Sequence, residues 1–176
     1  MNLWLRMLWV LGLSLFRPRI RPLEDSTLAL RVWPPDLDLM GHVNNGRYLT
    51  FMDLGRLDLM VRSGLWRIAL QRRWAPVIVS AQVRFRRALK LWDPFTLHTR
   101  VLGWDERWVY IEHRLESRGR TAALALVKAG FVAREGLVPV QELAGAIGVS
   151  ETPELPAAVR AWRGAEAILA EGEVSP

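Results

Sequence analysis

Two aspartates, Asp36 and Asp38, stand just ahead of Gly41, His42, Val43, Asn44 and Asn45 in the segment from Trp33 to Tyr48. This is the one stretch of the chain where acids, a histidine, amides and glycines converge. Asn44 and Asn45 are good residues with which to begin a helix. A helix N-terminus gathers unpaired N–H groups and partial positive charge, which suits it to hold an anion or a developing oxyanion. An acid immediately upstream of such a site is a candidate catalyst. The chain has no cysteine, so thiolate chemistry, a disulfide framework and a cysteine zinc site are excluded, and catalysis falls to carboxylate, histidine or hydroxyl groups.

The flanking patterns say how those residues are carried. Leu28, Leu30 and Val32 alternate with Thr27, Ala29 and Arg31, which predicts a half-buried strand, and Pro34-Pro35 ends it because neither residue offers an N–H. From Asn45 to about Arg62 the period becomes helical, with Tyr48, Met52, Gly55 and Leu59 on one stripe. That helix is expected to be largely buried, with Gly55 at a close approach to a sheet and Asp58 paired with Arg62 one turn on. Leu65 to Arg73 reads as a short second helix.

Beyond it the period is two. Val77, Val79, Ala81, Val83 and Phe85 form one face and Ser80, Gln82, Arg84 and Arg86 the other; Phe95 to Trp104, Trp108 to Ser117 and Thr121 to Arg134 continue as strands joined by hairpins. A sheet of this order would bury its apolar face on the long helix, an α+β arrangement. Pro139 to Val149 and Ala157 to Leu169 read as peripheral helices without catalytic residues.

At 176 residues with 51% apolar composition the chain fits one globular unit with a sizeable core. The net charge is +6, and from Asp58 to Asp93 there is no acid, while eight basic residues fall there. Such a field favours a phosphorylated ligand, nucleic acid or an anionic surface; a solvated basic face is the competing reading. Residues 1 to 16 are the most apolar stretch, followed by Arg17, Arg19 and Arg21. Sixteen helical residues reach roughly 24 Å, short of a bilayer core of about 30 Å, and Arg6 interrupts the run. The basic cluster follows the apolar stretch, unlike a signal peptide. Two readings stand: first a helix packed on the body or on a partner subunit, second a helix lying in a membrane interface.

The segment Asp36-x-Asp38-x-x-Gly41-His42-Val43-Asn44-Asn45-x-x-Tyr48, with the strand before it and the helix and four strands after it, resembles the signature of hotdog-fold acyl-CoA thioesterases of the 4-hydroxybenzoyl-CoA thioesterase type. The resemblance covers about Thr27 to Arg134. It implies a hotdog fold, with an antiparallel sheet wrapped around a long central helix, and here extra N- and C-terminal helices. The expected organisation is an apolar N-terminal helix and basic linker over 1–22, a hotdog domain over 23–138 and a helical extension over 139–176. The resemblance further implies a homodimer or homotetramer with active sites between subunits, and hydrolysis of acyl-CoA to free acid and coenzyme A; the expected location is cytoplasmic, with the N-terminal segment, which lies outside the resemblance, a candidate for peripheral membrane contact. No metal or resident cofactor is expected, coenzyme A being part of the substrate, and no nucleic acid partner.

By position Asp38 matches the catalytic acid of that type, as nucleophile or general base. His42, Val43, Asn44 and Asn45 become oxyanion or positioning groups, and Arg84, Arg86, Arg87 and Lys90 candidates for the phosphates of coenzyme A. Each has a plainer alternative. Asp38 could serve only to cap the loop, and the arginines could be a solvated face. Asp36 reads as a loop-stabilising acceptor. Asp53, expected inside the buried helix, needs a partner such as Arg56 and stands second as an alternative acid. His98 and His113 read as surface or interface residues. Acyl-carrier-protein hydrolysis, a non-catalytic acyl- or lipid-binding role at the membrane, and dehydration are the competing activities.

Overall fold

The computed structural model describes residues 3–149 and 151–172. Helix α1 (Leu3–Phe16) leads to strand β1 (Ser26–Arg31), a single 3-10 turn over Pro34–Asp36, the long helix α2 (Asn45–Arg62) and the short helix α3 (Leu65–Arg72). Strands β2 (Ala75–Phe85), β3 (Pro94–Trp104), β4 (Val109–Ser117) and β5 (Arg120–Ala133) follow, then the two-residue strand β6 (Gly136–Leu137) and helices α4 (Val140–Ala146) and α5 (Ala157–Gly172). The sheet order is β1-β3-β4-β5-β2, antiparallel throughout, with β6 added beside β5.

Helix α2 buries Tyr48, Phe51, Met52, Leu54, Gly55 and Leu59. A Cβ at Gly55 would come within 2.3 Å of Thr99 Oγ1 and 2.8 Å of Leu97 Cδ2, so β3 passes as close to α2 as a glycine allows. The core between them joins Phe51, Met52, Leu28, Phe95, Leu97 and Leu115 and also takes in Val10 of α1. The β4–β5 hairpin turns through Arg118 and Gly119, both at positive φ, as a two-residue turn of the primed kind requires.

Three expectations change. Strand β2 does not alternate without interruption. Its pairing with β5 shifts between Ile78 and Ser80, so Val79 is an extra residue, and Ile78 rather than Val77 shares a face with Ala81, Val83 and Phe85. Asp53 is not buried; its side chain is 65% exposed, at the rim of a cavity beside α2. The buried acid of the helix is Asp58, fully enclosed, which accepts hydrogen bonds from Ser14, Ser26, Arg17 and Arg62. His113 is equally enclosed rather than at a surface, on the face of β4 that meets α2. Helix α1 lies against α2, and its two polar anchors are Arg6 on Asp36 at 2.7 Å and Ser14 on Asp58 at 2.6 Å.

Candidate active site

The loop from Trp33 to Asn45 is built by its own backbone. The 3-10 turn closes through Asp36 N–H on the Trp33 carbonyl, and the Asp36 carboxylate accepts from the Trp33 N–H at 2.8 Å while gripping Arg6. Asp36 is therefore the loop-stabilising acceptor its position suggested, with a buried arginine from α1 as the unforeseen partner. Gly41 adopts φ +74, a left-handed turn that returns the chain so that Asp38 N–H meets the His42 carbonyl at 2.8 Å. Asn44 caps α2, its side-chain oxygen accepting from the Gly46 N–H at 2.9 Å.

Asp38 stands exposed at the tip of this turn. Its Oδ1 accepts from the N–H groups of Met40 at 2.9 Å and His42 at 3.2 Å, which fixes the carboxylate. Oδ2 has no partner among the described residues. The same geometry serves the turn-capping role and leaves one carboxylate oxygen free to react. Of the three N–H groups expected to form an anion site, Val43 donates to the Leu89 carbonyl and Asn44 to the Asp36 carbonyl, both at 2.9 Å. Those two are consumed by the backbone. The Asn45 N–H, at the first position of α2, is the one of the three without an acceptor among the described residues.

The Val43–Leu89 bond and a bridge between His42 and Lys90 lay the basic segment alongside this loop, and the Tyr48 hydroxyl, buried beneath, accepts from the Leu89 N–H at 3.3 Å. Burial holds the Tyr48 hydroxyl above its ordinary pKa, which the Leu89 N–H partly offsets, so it stays protonated. Lys90 thus joins the loop, while Arg84, Arg86 and Arg87 are exposed beside it. Arg87 lines a surface cleft with Arg118 and Arg120, two arginines the sequence reading did not single out because they lie in the next hairpin.

Asp53 lies elsewhere. Eight residues beyond Asn45, it is about 12 Å further along the helix axis. It pairs with Arg56, whose other nitrogen donates to His113 Nε2 at 2.9 Å; His113 Nδ1 in turn meets Thr99 Oγ1 at 3.0 Å. With Arg56 donating to Nε2, the imidazole proton belongs on Nδ1. Burial, and secondly the Arg56 charge, drive the His113 pKa well below its ordinary value, and it is neutral. This polar chain edges an apolar cavity of about 250 Å³ between α2 and the sheet. Leu57 and Met60 of α2, Trp66 of α3, Ile111 and Phe131 of the sheet and Leu143 of α4 are among its walls. Asp38 does not line it. No group of acids and histidines at metal-binding spacing occurs among the described residues.

A curled antiparallel sheet closed over a long helix, with a polar loop at the helix start, defines a hotdog protein. The chain belongs to the thioesterase-like superfamily, whose sequence profile matches residues 32–163. That match runs past the β-sheet into α5, where Val159 and Trp162 pack on Leu102 and Tyr110, so the C-terminal region is more integral than its peripheral reading implied. The Xenopus laevis protein THEM6 is 36% identical over 108 residues, covering 58% of this chain and 52% of that protein. The chain spans about half the length of the curated relatives it matches. Among solved structures, YbaW, a probable thioesterase of Escherichia coli, superposes with a TM-score of 0.65 at 21% identity, covering 71% of this chain and 98% of its own. A Thermus thermophilus thioesterase complexed with coenzyme A and zinc gives a TM-score of 0.59 at 24% identity over 72% of this chain and 94% of its own. These likenesses carry the fold.

Proposed function

We propose that this chain hydrolyses acyl-CoA thioesters, with Asp38 as the catalytic acid. The observation that carries the reading is the carboxylate of Asp38, pinned through Oδ1 with Oδ2 free, beside a helix start whose Asn45 N–H is open. A thioester carbonyl whose oxygen meets that N–H would be polarised as the tetrahedral oxyanion forms. Oδ2 then attacks the carbonyl carbon, expelling the thiolate and leaving a mixed anhydride for water to cleave. Acting as a base instead, Oδ2 takes a proton from the water that attacks. His42 positions the loop through its contacts with Asp38 and Lys90.

The phosphates of coenzyme A would lie along Arg84, Arg86, Arg87 and Lys90, with Arg118 and Arg120 extending that edge. The apolar cavity would take the acyl group. Since Asp38 is outside the cavity wall of a single chain, a homodimer or larger homo-oligomer that brings a second subunit across the site completes the pocket. The substrate could equally arrive on an acyl carrier protein, whose acidic surface suits the same basic edge.

Asp53 supports a second reading, because it does line the cavity. There the acid would act from the side of α2, with Arg56 holding the carboxylate. Thiol release from a panel of acyl-CoA esters separates the two. Asp38→Asn is expected to lower kcat on the order of 10²–10⁴-fold with Asp53→Asn retaining most activity; the reverse pattern would move catalysis to Asp53. No thiol release from any ester by the parent chain would overturn the hydrolytic reading.

A further inference from the structure

Helix α1 is amphipathic in the reverse of the usual sense. Arg6, Val10 and Ser14, spaced by four, point into the molecule, and Arg6 and Ser14 are buried on Asp36 and Asp58. The outward face carries Trp4, Leu5, Leu8, Trp9, Leu15 and Phe16, all exposed, Trp4 at 66% and Phe16 at 92%. At 100° per residue those six side chains span a continuous arc of about 140° centred opposite Val10. The face holds no charge. A helix bordering water is expected to turn its polar residues outward, so this surface is built for an apolar neighbour.

The position of its charges says which. Arg19 and Arg21 follow directly on Phe16 and are exposed, and the chain carries net charge +6. Two tryptophans lie within the arc, the residue type that prefers the boundary between headgroups and acyl chains. The fourteen residues of α1 reach about 21 Å, and among the described residues no helix is long and apolar enough to cross a membrane. The helix therefore lies along a surface rather than through it. On its inward face α1 holds the candidate active-site loop, Arg6 gripping Asp36, and three and four residues on, Leu39 and Met40 are exposed at the tip of that loop.

We propose that the outer face of α1 docks on an anionic lipid surface, the helix in the plane of the interface and Arg19 and Arg21 among the headgroups. The buried Arg6–Asp36 and Ser14–Asp58 contacts then fix the orientation of the whole body on that surface. The proposal is independent of which acid is catalytic.

The test is flotation of the full chain with vesicles of phosphatidylcholine alone and of phosphatidylcholine mixed with phosphatidylglycerol. The parent chain is expected to float with the mixed vesicles, less with the neutral ones, and to be released by salt. The triple variant Trp4→Gln, Leu8→Gln, Trp9→Gln removes three exposed side chains and is expected to partition at least about tenfold less, with an unchanged thermal midpoint showing that the fold survives. Equal flotation of parent and variant would overturn the proposal, as would failure of the parent to float on either lipid. A variant that floats like the parent but sediments as a smaller species would assign the face to contact between subunits instead.

Discussion

His113 is the residue whose environment departs furthest from what its place in a strand suggested. Its ring is fully buried, Nε2 accepts from Arg56, and Nδ1 meets Thr99. A proton added to Nε2 would face a guanidinium and lie away from water, which is why its pKa falls. In the unfolded chain the same imidazole titrates near its ordinary value of about 6.5. Between the two values the unfolded state binds the extra proton and the native state does not, so stability is complete above about pH 6.5 and is lost as pH falls below it. The slope from this one group approaches about 1.4 kcal/mol per pH unit. Urea unfolding of the parent and of His113→Gln from pH 5 to 7 should show that slope only in the parent. Equal slopes would mean that other groups carry the acid sensitivity.

At the scale of elements, α1 and α2 are joined by one buried carboxylate. Asp58 takes hydrogen bonds from Ser14 of α1, from Ser26 of β1 and from Arg62 of its own helix, and Arg17 closes the group from the linker. The linker is further pinned by Arg62 Nε on the Pro18 carbonyl at 2.9 Å. Asp58→Ala leaves Arg62 buried without its counter-charge, and removal of one partner of a buried ion pair costs about 3–5 kcal/mol. A matching drop in the free energy of denaturant unfolding is expected, with the N-terminal helix becoming the first segment to exchange its amide hydrogens. A loss under about 1 kcal/mol would place this group among exposed pairs of little worth.

For the whole molecule, the feature that matters is the open edge of the sheet. Among the described residues strand β2 pairs with β5 alone, and Ile78, Val79 and Phe85 along it are exposed. A long edge with apolar side chains invites another strand, and a second copy of β2 would extend the sheet and close the cavity wall formed by Val77 and Ile78. The proposed pocket between subunits then predicts that Ile78→Lys, exposed in the single chain, lowers the sedimenting mass to that of a monomer and lowers thioesterase activity together. A parent chain that is already monomeric would count against a shared site.

Much of this was legible in the residues themselves. Period two and period 3.6, with Pro34-Pro35, Gly41 and Asn44 as punctuation, located β1 to β5 and α1 to α5 within a few residues, because those signals are local. The loop motif likewise located the turn that carries Asp38 and the start of α2. What the tertiary structure decided depended on contacts between distant segments. An acid in a helix does not announce whether the sheet lies beside it, so Asp58 rather than Asp53 proved to be the buried one, and His113 found Arg56 only when β4 packed on α2. A bulge is set by the partner strand, which is why the faces of β2 were assigned through Val79 without it. The loop N–H groups of Val43 and Asn44 had the sequence of an anion site, yet Leu89 and Asp36 occupy them, since a folded backbone satisfies its own donors wherever it can.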